Sequence, residues 1–224
     1  MFIDSHCHID FPELSDRLPE ILRKMAENQV SHALCVAVTM PEFPRVLALA
    51  EAHPNIYASV GVHPDYEDTE EPDVATLVRL AAHPRIVAIG ETGLDYYRLS
   101  GDLDWQRQRF RTHIRASRES RKPLIIHTRS ASEDTLRIMR EEGAGTTDGG
   151  VAGVMHCFTE SLQVAEAAIE MGFYISFSGI VTFKSARELQ DVARAVPLER
   201  MLIETDSPYL APVPMRGKTN EPGF

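Results

Sequence analysis

The chain has 224 residues, 43% of them apolar and 25% charged, which supports a packed core and excludes an intrinsically disordered chain. Its 23 Lys and Arg against 33 Asp and Glu leave a formal charge of −10. That balance excludes a protein that coats nucleic acid non-specifically, because such binding is driven by neutralising phosphates. A nucleic acid substrate would have to be held locally, by metal ions and a few Arg or Lys side chains.

Cys7, Cys35 and Cys157 show no C-x-x-C spacing, which points to a reducing compartment. The opening run Met-Phe-Ile-Asp-Ser-His lacks the basic and apolar regions of a signal peptide. No apolar stretch approaches the ~18 residues of a membrane span. The expectation is a cytoplasmic protein without a membrane partner, a monomer or weak oligomer.

The apolar run Phe2–Ile9 predicts a first strand. His6 and His8 stand two apart on it, so both imidazoles leave one face and Cys7 leaves the other. Leu14, Leu18, Ile21, Leu22 and Met25 then fall on one helix face. His32–Val38 and Ile56–Val62 read as strands two and three, with a helix starting at Val46, Leu47 and Ala50 between them. Gly61-Val-His-Pro places His63 at the end of strand three. A helix begins around Val74, Leu77 and Val78, and Ile86–Gly90 is strand four, followed by Glu91 in Gly-Glu-Thr-Gly-Leu-Asp. Asp95, Tyr96 and Tyr97 are expected on the loop beyond it.

A long polar helix is predicted over Asp104 to Ser120, its Arg107, Arg109, Arg111, Arg115 and Arg118 solvated. Pro123 cannot continue a helix and marks the entry to strand five, Leu124–His127. Helix Ser132–Glu142, a flexible loop over Thr146–Gly150, and strand Val151–Phe158 with His156 near its end follow. Helix Ser161–Met171 ends before Gly172. Then come strand Phe173–Phe177, helix Ser185–Ala195 and strand Met201–Glu204, with Asp206 just past it. Pro208 to Phe224 is rich in Pro and Gly and contains no helix.

Most of these strand runs are continuous rather than alternating, as strands buried on both faces read. Eight of them alternating with helices predict a single α/β domain over residues 1–224, a TIM (β/α)8 barrel. The last helix would be missing or truncated. A doubly wound sheet is the competing fold, but no Gly-rich fingerprint follows the first strand.

Barrel active sites form at the C-terminal ends of the strands. There the sequence places His6, His8, Glu91, His127, His156 and Asp206, from strands one, four, five, six and eight. Any one of them could be a satisfied polar group. Buried charge is costly unless paired or metal-bound, and metal binding accounts for all six together. Nitrogen and oxygen ligands without thiolate suit Mg, Mn or Zn. Six are too many for one open tetrahedral site and suit two ions about 3.5–4 Å apart, with Glu91 the better placed bridging carboxylate.

The runs Asp4-Ser-His-Cys-His, Gly61-Val-His-Pro, Gly90-Glu-Thr-Gly-Leu-Asp, Lys122-Pro-Leu-Ile-Ile-His-Thr-Arg, His156-Cys-Phe and Glu204-Thr-Asp-Ser-Pro resemble the signatures of the TatD family of metal-dependent deoxyribonucleases. The closing run Arg216-Gly-Lys-Thr-Asn-Glu-Pro is similar too. The resemblance spans nearly the whole chain in order. It implies the TIM-barrel fold of the amidohydrolase-like metallohydrolases and two divalent ions. His6, His8, Glu91 and Asp206 would hold one, and Glu91, His127 and His156 the other. It also implies cleavage of phosphodiester bonds in DNA, single-stranded or at ends, often by 3'-5' exonuclease action. Family members continue a few dozen residues past Asn-Glu-Pro, a departure that bears on barrel closure rather than on the ligands.

Asp206 is the expected proton acceptor from an attacking water, with Glu91 beside it. His63, Arg129 and Tyr96 are the candidate substrate contacts, through phosphate or by stacking on a base. Asp95 is placed to orient a ligand. Lys184, Arg216 and Lys218 are lesser candidates for the DNA backbone. Cys7 and Cys157 should face away from the ions as small core residues. Two alternatives stand beside a nuclease. One is an ester, amide, lactone or aminoacyl-tRNA deacylase hydrolase on the same two-metal site, though many such enzymes carry a bridging carboxylated Lys where this chain has Glu91. The other is a binding barrel without catalysis, against which the complete ligand set argues.

Overall fold

A computed structural model describes residues 1–146 and 149–224. The elements run β1 (Phe2–Cys7), α1 (Pro12–Ser15), α2 (Leu18–Glu27), β2 (Val30–Cys35), α3 (Phe43–Ala52), β3 (Ile56–Val60), α4 (Val74–Ala81) and β4 (Ile86–Asp95). They continue with α5 (Asp104–Ser120), β5 (Leu124–Arg129), α6 (Ser132–Glu141), β6 (Gly153–Met155), α7 (Leu162–Glu170), β7 (Tyr174–Phe177), α8 (Arg187–Ala195) and β8 (Met201–Ile203). The strands pair in parallel in chain order from β1 to β8, which is the expected TIM barrel.

The strands pack against the helices in one large cluster, while Val36, Ala88, Ile125 and Val154 form a separate small one. Cys35, Ile56, Val60, Ile86, Ile89 and Ile126 are buried together with the inward rows of the helices, such as Ile21 and Met25 on α2 and Phe110 and Ile114 on α5. The seam between β1 and β8 closes just beyond the strands. The N–H of Asp206 donates to His6 O (2.9 Å) and that of His8 to Ser207 O (2.8 Å), with a bridge from Cys7 to Ser207. The buried Asp4 carboxylate accepts the Thr205 N–H at 2.9 Å across the same seam. Among the described residues no helix follows β8, and Phe2, Ile3 and Ile203 are exposed on that side. No helix among the described residues is long and apolar enough to cross a membrane.

Three boundaries and one helix surface that bear on the site differ from the sequence expectation. The single helix over Leu14 to Met25 is two, because Pro19 in the first turn of α2 has no N–H to continue a helix from α1. β4 runs on to Asp95, since its pairing with β5 extends to Asp95 opposite Arg129, so Glu91 lies inside the strand. β1 ends at Cys7, leaving His8 just past it. The arginines of α5 are paired where the helix packs between α4 and α6, although Arg115 and Arg118 stay exposed as expected. Arg109 is buried against Glu71, with Nε 2.9 Å from Oε2, and Arg111 and Arg115 both reach Glu142. Of the expected loop at 146–150, residues 147 and 148 lie outside the described residues.

Candidate metal centre

Glu91 stands at the middle of the barrel mouth, 2% exposed, and its two oxygens serve different neighbours. Oε2 lies 3.2 Å from His6 Nε2 and 3.8 Å from His8 Nε2. Oε1 lies 3.2 Å from His63 Nε2, 3.3 Å from His127 Nδ1 and 3.3 Å from His156 Nε2. Asp206 Oδ1 completes the first side, 3.8 Å from His6 Nε2 and 3.6 Å from His8 Nε2. The His6 and His156 rings stack 3.6 Å apart between the two sides. All six expected ligand residues therefore converge. A backbone contact helps set this up: a Cβ on Gly61 would stand 2.6 Å from Gly90 Cα, so only glycine lets β3 approach β4 closely enough there to set His63 against Glu91.

Which ring nitrogen offers a lone pair follows from the partner of the other. His8 Nδ1 is 3.1 Å from Val36 O; a carbonyl only accepts, so Nδ1 carries the proton and Nε2 faces the centre bare. His127 Nε2 is held by Asp95 Oδ2 at 3.0 Å, leaving Nδ1 bare. His156 Nδ1 lies 2.9 Å from Glu204 Oε1, an ion pair whose angle falls short of a hydrogen bond, and Nε2 points to Glu91. His63 is the reverse. The Asp65 N–H donates to its Nδ1 at 3.0 Å, so in the neutral ring Nε2 carries the proton and turns it toward Glu91 Oε1, 3.2 Å away. Such a ring steadies the carboxylate and has no lone pair facing the centre for an ion.

Burial would raise Glu91, but the imidazoles of His63, His156 and His6 outweigh it and hold the carboxyl well below its ordinary range. Burial likewise opposes ionisation of Asp206, which His8 and its neighbours nevertheless hold low. His6 is pushed down by burial and by His156. His156 goes well up, burial being overcome by Glu204 and Glu91. Asp95, despite burial, falls to about 2 through its bond to His127. Ionised carboxylates that gather positive charge, beside a buried His6 Nδ1 with no partner, are what a cation-binding cluster presents. The trios His6–His156–Asp206, His6–His8–Glu91 and His63–Glu91–His127 each bring ligand-type atoms within 4.8 Å of one another. The donor set fits a divalent ion.

The cavity above is lined by His63 and Arg129, two of the candidate substrate contacts, with the Arg129 guanidinium 3.9 Å over the Tyr97 ring. Tyr96 does not line it. Its hydroxyl turns to α6 and donates to Asp134 Oδ2 at 2.7 Å, because β4 carries the chain past the mouth before the loop begins. Lys184, Arg216 and Lys218 also lie off the cavity. Cys7 is buried as expected, but Cys157 lines the cavity. β6 stops at Met155, and Cys157 at φ +43° has left the strand alternation. The sequence reading missed Glu204 as the partner of His156, and missed Arg98, Phe11, Tyr66 and Tyr209 on the cavity wall.

A family model described as TatD related DNase matches residues 3–224. "Uncharacterized metal-dependent hydrolase YcfH" of Escherichia coli K12 is 49% identical over 99% of this chain and 83% of its own length. "Uncharacterized metal-dependent hydrolase YabD" of Bacillus subtilis is 41% identical over 100% and 87%. The crystal structure of YjjV, a TatD homolog from E. coli K12, superposes with a TM-score of 0.89 at 30% identity, covering 99% of this chain and 85% of that one.

Proposed function

The chain belongs to the TatD related DNase family, a family of metal-dependent hydrolases, and from that premise we propose that it is a deoxyribonuclease. It would cleave phosphodiesters at single-stranded DNA or DNA ends, in the 3'-5' direction. The observation that supports this best is Glu91, whose two oxygens face two separate groups of imidazoles, the disposition of a carboxylate shared by two ions. His6, His8, Glu91 and Asp206 would hold one and Glu91, His127 and His156 the other. Two divalent ions (Mg, Mn or Zn) there would supply Lewis acidity and lower the pKa of a water.

The side chains do the rest. Val36 O, Asp95 and Glu204 hold the rings of His8, His127 and His156 in orientation, and His63 Nε2 stands 3.2 Å from Glu91 Oε1. Asp206 engages His6 and His8 through Oδ1, and its other oxygen would accept the proton of the attacking water. Arg129 would meet a non-bridging phosphate oxygen, where charge gathers in the transition state, and His63 presents its edge to the same cavity.

The test is the purified protein, reconstituted with Mg, Mn or Zn, on end-labelled single- and double-stranded DNA. Metal-dependent release of nucleotides from one end is expected. No release, alongside turnover of an ester, amide, lactone or aminoacyl-tRNA panel, would overturn the nuclease reading in favour of the amidohydrolase one.

A further inference from the structure

Three of the strand ends around the centre continue in the same way. The N–H of Phe11 donates to His8 O (3.0 Å), that of Tyr66 to His63 O (3.4 Å) and that of Tyr209 to Asp206 O (3.0 Å). Each is a four-residue turn closed between its first and fourth members. Each begins on a residue of the centre and ends on an aromatic one. All three rings line the cavity. Phe11 stacks on His8 at 4.9 Å, Tyr209 meets Phe11 edge-on at 6.5 Å, and Tyr66 meets His63 edge-on at 6.1 Å. Tyr66 and Tyr209 are 39% and 52% exposed, so their rings are not consumed by core packing.

We infer that Phe11, Tyr66 and Tyr209 form a stacking subsite for the unpaired base of a nucleotide flanking the bond that is cut. This rests on the nuclease reading and adds the part of the substrate that the metal centre does not read. The chain's charge of −10 deprives it of a long-range pull on a polyanion. Arg98 and Arg129 are the arginines on the cavity wall, and Arg98 is tied to Asp65 at 2.5 Å. Binding must therefore draw on contacts that do not depend on net charge, and base-on-aromatic stacking is one that tolerates any sequence. A base inside a duplex has both faces covered by its neighbours, so the subsite takes a base that is unpaired and unstacked.

The experiment compares two single-stranded oligonucleotides of one length, one with natural bases and one with abasic tetrahydrofuran residues at the cleaved end. The metal-loaded enzyme, Tyr209→Leu, Phe11→Leu and Tyr209→Phe are tested on both. Stacking on one ring sets the scale of effect at roughly tenfold. The wild type should show a KM lower by about that factor for the natural end. Tyr209→Leu and Phe11→Leu should lose most of that preference, and Tyr209→Phe, which keeps the ring, should retain it. The same four proteins are titrated with both oligonucleotides by fluorescence anisotropy. If no DNA is cleaved yet base-dependent binding is lost in the two leucine variants, the nuclease reading fails and the subsite stands. If the leucine variants keep the wild-type preference for bases, in KM or in affinity, the subsite is overturned.

Discussion

His113 lets acid stability be tested at a single side chain. It is wholly buried on α5; its Nε2 accepts the Val62 N–H at 3.0 Å and its Nδ1–H donates to Arg109 O at 2.8 Å. Burial pushes its pKa down from 6.5 to about 4. A group with a depressed folded-state pKa contributes stability that is fully present above its unfolded value, here 6.5. That stability is lost as pH falls through the window down to about 4, because only the unfolded chain takes up the proton. The whole window of about 2.5 units is worth about 3 kcal/mol at 1.36 kcal/mol per unit. Going from pH 7 to pH 5 uses about 2 kcal/mol of it. His113→Gln keeps an acceptor for Val62 and cannot titrate. In urea unfolding with chelator present, the wild type should lose about 2 kcal/mol more than the variant between pH 7 and pH 5. The other titrating groups are common to both proteins and cancel. Equal losses in the two proteins would refute the assignment of a neutral, buried His113.

Three further outcomes follow from the site. His127→Ala should lower the number of ions bound per chain, measured by elemental analysis, while His63→Ala should not; loss of an ion from His63→Ala would mean that its tautomer is read wrongly. Asp206→Asn should reduce kcat by a factor on the order of 10² or more with a smaller change in KM, and near wild-type turnover would remove Asp206 as proton acceptor. Gly61→Ala should cost about 2 kcal/mol, because its Cβ would stand 2.6 Å from Gly90 Cα; an unshifted urea midpoint would show that the two strands can part freely.

The barrel was legible because its strands are short, continuous apolar runs, a pattern that survives whatever the loops do. The clustering of His6, His8, Glu91, His127, His156 and Asp206 was legible for a related reason: imidazoles and carboxylates placed where apolar strands end gather at one mouth of the barrel. What escaped depends on where each strand stops. Cys157 reaches the cavity because β6 ends two residues earlier, and Tyr96 misses it because β4 runs four residues past Glu91. Glu204 reads as the tail of a buried strand, and only the fold brings it to His156. The aromatic wall left a faint trace, an aromatic three residues after His8, His63 and Asp206. Spacing of that kind means nothing until the turns are known to close.

The seam between β1 and β8 makes the barrel's clasp and its metal centre one piece of backbone. The amides that close it belong to His8 and Asp206, and one of the carbonyls to His6, so the same three residues that present side chains to the centre fasten the first strand to the last. An ion bound to them would stabilise the native state by RT ln(1 + [M]/Kd), about 2.7 kcal/mol at a hundredfold excess over Kd. That gain falls where the cylinder is joined by the fewest strand residues. Metal scarcity would then register as loosening of the clasp before the rest of the wall gives way. Amide exchange at His8 and Asp206 should quicken on chelation while that of Ala58, in the middle of the β3 ladder, stays slow. If both respond alike, the clasp is held by the strands and not by the ions.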